Sequence, residues 1–169
     1  MSEIYKVAKY QNIRISKHRE SKMFSTIVSP RFGDMDGLGH INNTVLPIWF
    51  ETGRNPLFRI FSPDLDLSTD VWHLILVRTE FDFLRQMYYR SDVEIRTFIV
   101  KIGTSSFTVG HDAWQEGELK AKGQAVLVYY DFKIKKSMPL PNKIRDILKA
   151  HCFPAIDTDE MNVDSSALF

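Results

Sequence analysis

The feature that most constrains this chain is a polar loop that runs directly into its one strongly helical segment. Residues 31–43 contain two aspartates, three glycines, a histidine and two asparagines, and residues 44–54 place apolar side chains at three- and four-residue spacing. Thr44 is the predicted N-cap, because this choice puts Pro47 in the first turn, where its missing N–H costs little. Pro56 should interrupt the helix soon afterwards.

A helix N-terminus beside such a loop suits chemistry in which negative charge develops. The N–H groups of the first turn have no partners within the helix, and the helix dipole adds to their positive potential. An oxyanion formed beside residues 37–42 should therefore be stabilised without a metal. No pair of His, Cys or acidic residues has metal-ligand spacing with a second pair to complete it, so no metal site is expected.

The rest of the chain has the patterning of β-structure. The early part of residues 72–84 is apolar enough to predict burial on both faces. Pro139 and Pro141 should end the sheet, with a short helix from Asn142 to about Ala150. The pattern predicts an α+β fold, a five-stranded antiparallel sheet wrapped around a long central helix. The strands are expected at residues 24–32, 72–84, 92–101, 107–115 and 124–134.

The two ends of the chain differ from its middle in charge. Residues 1–22 carry six Lys/Arg against two acids, and residues 154–169 carry four acids and no Lys/Arg, although the net charge is only +1. We therefore divide the chain into a basic N-terminal arm (1–22), one folded domain (23–153) and an acidic C-terminal tail (154–169). The nearly neutral folded domain argues against nucleic-acid binding.

The sequence also bears on the cellular compartment. A single cysteine, Cys152, rules out an intrachain disulfide framework and suits a reducing environment. Residues 1–22 lack the apolar core of a signal peptide. No run of about 18 apolar residues could span a membrane. A cytoplasmic protein with no membrane partner is expected.

The loop and the helix together carry a family resemblance. Their pattern is Asp34-x-Asp36-x-x-Gly39-His40-x-Asn42-Asn43, followed by Phe50-Glu51-x-x-Arg54. It resembles the hot-dog-fold thioesterases of the 4-hydroxybenzoyl-CoA thioesterase-like superfamily, in the branch that hydrolyses acyl-CoA or acyl-carrier-protein thioesters. Weaker similarities in the same order extend the match to about residues 24–150. They are Asp82-Phe-Leu-Arg85, Gly103-Thr-Ser-Ser-Phe107 and Pro139-Leu-Pro-Asn-Lys-Ile-Arg145.

The resemblance implies roles for residues of the loop. Asp36 matches the catalytic carboxylate, acting as a nucleophile or as a general base on water. Gly39 and His40 lie where the family donates hydrogen bonds to the thioester carbonyl. Asn42 matches a residue that orients the carbonyl or the water, and Asn43 is grouped with Gly39 in oxyanion and substrate binding. No cofactor is implied, since CoA or phosphopantetheine arrives as part of the substrate.

Four further residues have alternative interpretations. Asp34 is expected to bond the loop backbone. Glu51 is a reserve catalytic candidate, because a sister branch carries its carboxylate on the helix, but it could simply pair with Arg54. Ser105 and Ser106 should line the site or pair strands, since they lack the setting of a serine hydrolase nucleophile.

Hydrolysis of an acyl thioester is the function that these residues favour, and two other classes stay open. A dehydratase or isomerase of the same fold would use His40 and Glu51 and would leave Asp36 idle. A non-catalytic acyl-thioester-binding protein would keep the fold without turnover.

A homodimer is expected from the sheet. The strand at residues 92–101 is the predicted free edge, because charged residues interrupt its apolar ones, and natural proteins pair or cover such edges. Pairing about a two-fold axis gives a closed dimer. The resemblance implies an acyl pocket between subunits, with Asp36 of one chain facing the region of residues 103–107 of the other. Two dimers could join as a homotetramer.

Overall fold

The computed structural model describes residues 22–153, so the predicted acidic tail and all of the basic arm except Lys22 lie outside the described residues. None of the helices within 22–153 has the length and apolar character needed to cross a membrane. The helices are α1 (Val45–Gly53), α2 (Asn55–Phe58) and α3 (Asn142–Ala150). The strands are β1 (Phe24–Val28), β2 (Leu74–Phe83), β3 (Val93–Ile102), β4 (Ser106–Gln115), β5 (Glu118–Asp131) and β6 (Lys136–Ser137).

The central helix has the predicted start and the predicted interruption. α1 begins directly after Thr44, and Pro47 lies in its first turn. The break falls at Arg54, and Pro56 then occupies the first turn of α2, where it needs no N–H partner. The two pieces together form a central helical segment of 14 residues.

The sheet confirms the predicted α+β architecture. Its strands are all antiparallel in the order β1-β3-β4-β5-β2, and the two-residue β6 pairs with the end of β5. The sheet curls around α1, so that alternate residues of β3 face the helix and are buried. β5 begins earlier than predicted, at Glu118, because Glu116 and Gly117 both take the positive φ that a tight two-residue hairpin requires.

Close approach between α1 and β3 depends on Gly53. A Cβ on this residue would lie 2.6 Å from Cγ2 of Ile95, a separation that real side chains do not tolerate. One turn earlier, the ring of Phe50 stacks on His111 at 4.8 Å between centroids. The helix is therefore fixed to the inner face of the sheet through a glycine contact and an aromatic stack.

The prediction that the strand at residues 92–101 forms a free edge of the sheet is wrong. β3 lies between β1 and β4 and has neighbours on both sides. Glu94 and Arg96 are not a sign of a free edge, because they form a 2.8 Å ion pair on the outer face of the sheet. Charged residues that alternate with apolar ones mark which face meets solvent, and they carry no information about which strand is outermost.

Within residues 22–153, the long free edge belongs instead to β2, whose only neighbour there is β5. Burial on both faces was predicted for its early part, and this is wrong for the single chain. Leu74 is buried, but Leu76 and Val77 are 46% and 56% exposed. An edge strand of ten residues, apolar in its first half, is thus left uncovered within the part of the chain that the structure describes.

The opposite margin of the sheet is made of two short pieces. β1 pairs with only the first half of β3, as far as Thr97. Beyond it, residues 151–153 run beside β3 in parallel, with Ile99 N donating to His151 O at 2.9 Å and Phe153 N donating to Ile99 O at 2.6 Å. The ring of His151 also stacks on Phe24 at 4.3 Å.

A buried polar network joins the end of α1 to the sheet. Arg54 is 5% exposed, and its Nη1 lies 3.4 Å from Nε2 of His111, whose Nδ1 is 3.0 Å from Oγ1 of Thr97. Since a guanidinium can only donate, Nε2 accepts, and Nδ1 carries the proton that it donates to Thr97. Burial, aided by the charge of Arg54, lowers the pKa of His111 to about 3.

We expect the protein to lose stability as the pH falls from 6.5 toward 3. In this window the unfolded chain binds a proton at His111 and the folded chain does not. The contribution is complete above pH 6.5 and declines by up to about 1.4 kcal/mol per pH unit. Urea unfolding at pH 7, 6 and 5 measures the slope. The control is His111→Gln, which keeps a donor and an acceptor, and equal slopes for the two proteins would contradict the assignment.

Candidate functional site

The polar loop folds back on itself as a small hairpin. Asn42 N donates to Asp34 O, and Asp36 N donates to His40 O, both at 2.8 Å. The three residues at the tip end in Gly39, whose φ of +82° lies in the left-handed region. Glycine at this position allows the loop to close in so few residues.

Asp36 has one carboxylate oxygen fixed by this hairpin. Its Oδ1 accepts hydrogen bonds from the backbone N–H groups of Leu38 at 2.8 Å and His40 at 3.1 Å. These bonds hold the pKa of the half-buried Asp36 carboxyl below its usual range, because they stabilise the charged form. Within residues 22–153 the other oxygen, Oδ2, has no hydrogen-bond partner. The loop thus presents an ionised carboxylate with one oxygen anchored and one open.

In the single chain, the N–H groups expected to hold an oxyanion are used within the loop. His40 N donates to the carboxylate of Asp36, and Gly39 N donates to Asp36 O at 3.2 Å, the longer of the two bonds. The imidazole of His40 packs edge-on against Tyr88, with ring centroids 5.4 Å apart. No pattern in the sequence marks Tyr88 as part of the site, because the connection between β2 and β3 brings it to the loop only in the folded chain.

Asn42 connects the loop to the helix. Its Oδ1 accepts hydrogen bonds from Thr44 N at 3.0 Å and Thr44 Oγ1 at 2.8 Å, and Val45 N donates to Asn42 O at 3.0 Å. Thr44 is the N-cap residue, as predicted, but its side chain makes no capping hydrogen bond to the first turn and donates to Asn42 instead. Asn43 is exposed beside this contact. Loop and helix terminus are therefore one rigid unit.

Two other acidic residues near the loop differ in role. Asp34 behaves as predicted, since its Oδ2 accepts a 2.7 Å hydrogen bond from the backbone N–H of Arg31. Glu51 is exposed on α1 and makes no ion pair with Arg54, whose side chain is buried. The charge of Glu51 nevertheless raises the pKa of Arg54, against the larger lowering effect of burial.

An open cleft of about 640 Å³ borders the loop at Gly39. Three aromatic rings dominate its walls, and Ser91 closes one side by donating a 2.6 Å hydrogen bond to Glu116. In the single chain this cleft is open to solvent, and its lining is mostly apolar. Its lining residues are Phe32, Met35, Gly39, Tyr88, Tyr89, Arg90, Ser91 and Glu116.

Ser105 and Ser106 do not join Asp36 within one chain. The polar loop follows β1 at the end of the sheet where Val93 pairs with Gln115, whereas Ser106 begins β4 at the opposite end. There, Nη2 of Arg145 donates to the carbonyl oxygens of Gly103 at 2.9 Å and Thr104 at 3.1 Å, and so fixes the turn. Sequence order alone could not reveal this separation, which spans the length of β3.

No cluster of three or more His, Cys, Asp or Glu side chains placed to hold a metal occurs within the part of the chain that the structure describes.

Comparison with known proteins gives one family and several related structures. Residues 30–148 match the model of the thioesterase-like superfamily. A predicted thioesterase from Bacillus stearothermophilus is 41% identical, with 79% of this chain and 98% of that one covered and a TM-score of 0.75. A Thermus thermophilus thioesterase crystallised with coenzyme A and zinc is 35% identical (75% and 91% covered, TM-score 0.66). A Staphylococcus aureus protein solved with CoA shares the fold at 11% identity (76% and 83% covered, TM-score 0.69). No curated protein matches the chain.

The conformation of the loop can be tested at its glycines. Gly39→Ala should lower the free energy of unfolding by about 1 kcal/mol, because a Cβ is strained at positive φ. Gly37→Ala is the matched control, since Gly37 has equally open surroundings and no positive φ. Chemical denaturation measures both variants. Equal effects would show that the left-handed turn at Gly39 is not formed.

Proposed function

The chain belongs to the thioesterase-like superfamily, and on this premise we propose that it hydrolyses an acyl thioester of CoA or of an acyl-carrier protein to the free acid and the thiol. The observation that carries the proposal is the Asp36 carboxylate, anchored through one oxygen and open at the other, beside the N-terminus of α1. The CoA bound in the Thermus thermophilus relative supports a CoA thioester as the substrate. Such a substrate and the single cysteine are compatible with a cytoplasmic location.

Asp36 carries the reaction in one of two ways. As a general base, its free Oδ2 takes a proton from water while the oxygen of that water attacks the thioester carbonyl. As a nucleophile, the same oxygen forms an acyl anhydride that water then cleaves. The lowered pKa of Asp36 keeps the carboxylate ionised at neutral pH in both cases. The departing thiolate is a weak base and needs little help from an acid.

The oxyanion is held by the loop and the helix terminus. Gly39 N, which donates to Asp36 O at 3.2 Å in the single chain, turns to the substrate carbonyl when the substrate binds. His40 assists from the same strand, and its ring borders the cleft through Tyr88. Asn42 and Asn43 position these donors at the N-terminus of α1, and the cleft beside Gly39 takes the part of the substrate next to the carbonyl.

The protein acts as a homodimer formed along β2. This edge exposes Leu76, Val77 and Phe83 together with a row of unpaired backbone groups, a combination that natural proteins cover. Antiparallel pairing about a two-fold axis places the Leu74 end of one β2 beside the Phe83 end of the other. The first end lies next to the β3–β4 turn and the second lies next to the reactive loop. Ser105 and Ser106 of the partner subunit would thereby reach the end of the sheet that holds Asp36.

We expect Asp36→Asn to reduce turnover by about a hundredfold or more, which is the usual effect of losing a positioned acid–base group. Thiol release from a panel of acyl-CoAs measures it, and circular dichroism checks the fold. Asp34→Asn is the matched control, because Asp34 bonds only the loop backbone.

Glu51→Gln belongs in the same experiment. If Glu51→Gln abolishes thiol release while Asp36→Asn does not, the helix carboxylate is the catalytic one, as in the sister branch of hot-dog thioesterases. Binding of acyl-CoA by the wild-type protein without thiol release and without any change in the acyl group would instead identify a non-catalytic acyl-binding protein, whereas a changed acyl group would identify the dehydratase or isomerase.

The dimer is tested by light scattering at micromolar concentration. The expected mass is at least twice the 19.7 kDa of one chain, and four times if two dimers join. A fully active monomer would refute the shared site.

A further inference from the structure

The connection from β2 to β3 has an irregular backbone where it passes the polar loop, and one buried side chain holds it there. Gln115, the last residue of β4, is 2% exposed. Its Oε1 accepts a hydrogen bond from Tyr88 N at 2.9 Å, and its Nε2 donates to Tyr88 O at 2.7 Å and to Ser91 O at 2.8 Å. The orientation of the amide is fixed, because the opposite one would set its oxygen against two carbonyl oxygens.

This amide takes the place of a neighbouring strand. A residue in a hydrogen-bonded antiparallel pair exchanges both its N–H and its C=O with one partner, and Tyr88 makes the same exchange with the side chain of Gln115. On its other side, Tyr88 forms an antiparallel bridge with His40, and Ile41 N donates to Met87 O at 2.8 Å. The connection is therefore held between the Gln115 amide and the polar loop.

A short chain of contacts leads from this connection to the carboxylate of Asp36. The ring of Tyr88 lies against the ring of His40, and the backbone N–H of His40 donates to Asp36 Oδ1 at 3.1 Å. The carbonyl oxygen of His40 accepts a hydrogen bond from Asp36 N at 2.8 Å. Residues 88–91 also form one wall of the cleft beside Gly39. A shift of these residues would thus move both the carboxylate and the wall of the cleft.

Packing alone does not account for a glutamine at this position. Val93, which lies opposite Gln115 on the same face of the sheet, is fully buried, and so is Ala113. An apolar side chain would suit these neighbours, whereas a buried amide is costly unless its hydrogen bonds are made. The three bonds to residues 88–91 are therefore what the glutamine contributes.

From these contacts we propose that Gln115 is a positioning residue for hydrolysis of the thioester: it fixes residues 88–91 and, through His40, the open oxygen of Asp36. The inference rests on the proposed function and adds to it a residue that touches neither the substrate nor the carboxylate. Such positioning matters for the rate, because a displacement of about 1 Å caused by a remote change can cost about a hundredfold.

Gln115→Met separates positioning from packing. Methionine fills a similar length of space without any of the three hydrogen bonds, so kcat for thiol release should fall by about tenfold or more while KM changes by less. If residues 88–91 only lined the cleft, KM would rise and kcat would be retained, and that outcome would overturn the proposal. Gln124→Met is the matched control, because Gln124 is half-buried on the outer face of β5, and both constants should stay unchanged.

Gln115→Glu adds a test by pH, and it decides the matter if Gln115→Met does not fold. The protonated carboxyl keeps the shape of the amide, accepts from Tyr88 N and donates one hydrogen bond, whereas the ionised carboxyl faces the carbonyl oxygens of Tyr88 and Ser91. Burial raises the pKa of the introduced carboxyl. The kcat of Gln115→Glu relative to wild type should therefore be highest near pH 5 and fall as the pH rises to 8. Equal kcat values for the two proteins at every pH would contradict the proposal.

The pKa of Asp36 is a readout that does not depend on turnover. The hydrogen bond from His40 N helps to hold this pKa low, so it should rise toward its ordinary value in Gln115→Met, as followed by NMR titration of the carboxyl. An unchanged pKa of Asp36 together with an unchanged kcat would overturn the role of Gln115. A wild-type protein that releases no thiol, with the pKa of Asp36 raised in Gln115→Met, would overturn the proposed function and leave the positioning of Asp36 by Gln115 intact.

Discussion

The structure depends on the burial of one short helix inside a curled sheet. α1 can approach β3 only because Gly53 has no side chain, and Phe50 fills the space between His111 of β4 and Phe81 of β2. These contacts fix the helix at its C-terminal half. The N-terminal half is fixed by Asn42. The position of the loop that carries Asp36 therefore depends on how the helix packs in the core. The geometry of the candidate site is in this sense a product of helix packing.

The parts of the fold that follow from neighbouring residues could be predicted. The helix start at Thr44, its interruption before Pro56 and the bond from Asp34 to the loop backbone are all local effects of capping, proline geometry and turn chemistry. The α+β architecture follows from one helical segment among strands. Capping, proline geometry and turn formation depend on residues that are close together in the sequence, so these features can be predicted without coordinates.

The order of the strands could not be predicted in the same way. β2 and β3 both alternate apolar and charged residues, and only pairing between distant segments decides that β3 is interior and β2 is at the edge. The same holds for Ser105 and Ser106, which follow the reactive loop in the family pattern but lie at the other end of the sheet. Tyr88 is brought to His40 by a loop, and no periodicity marks it. Long-range topology is thus the missing information.

The two margins of the sheet are unequal within the described residues, and this inequality has a consequence for the assembly that we propose. One margin is a continuous ten-residue strand, whereas the other is divided between β1 and the antiparallel-to-parallel change at residues 151–153. A sheet with two equivalent long free edges could add copies at both edges without limit and grow into a fibre. In the proposed dimer each chain uses its one long edge in the symmetric pairing, so growth of the sheet would stop at two copies.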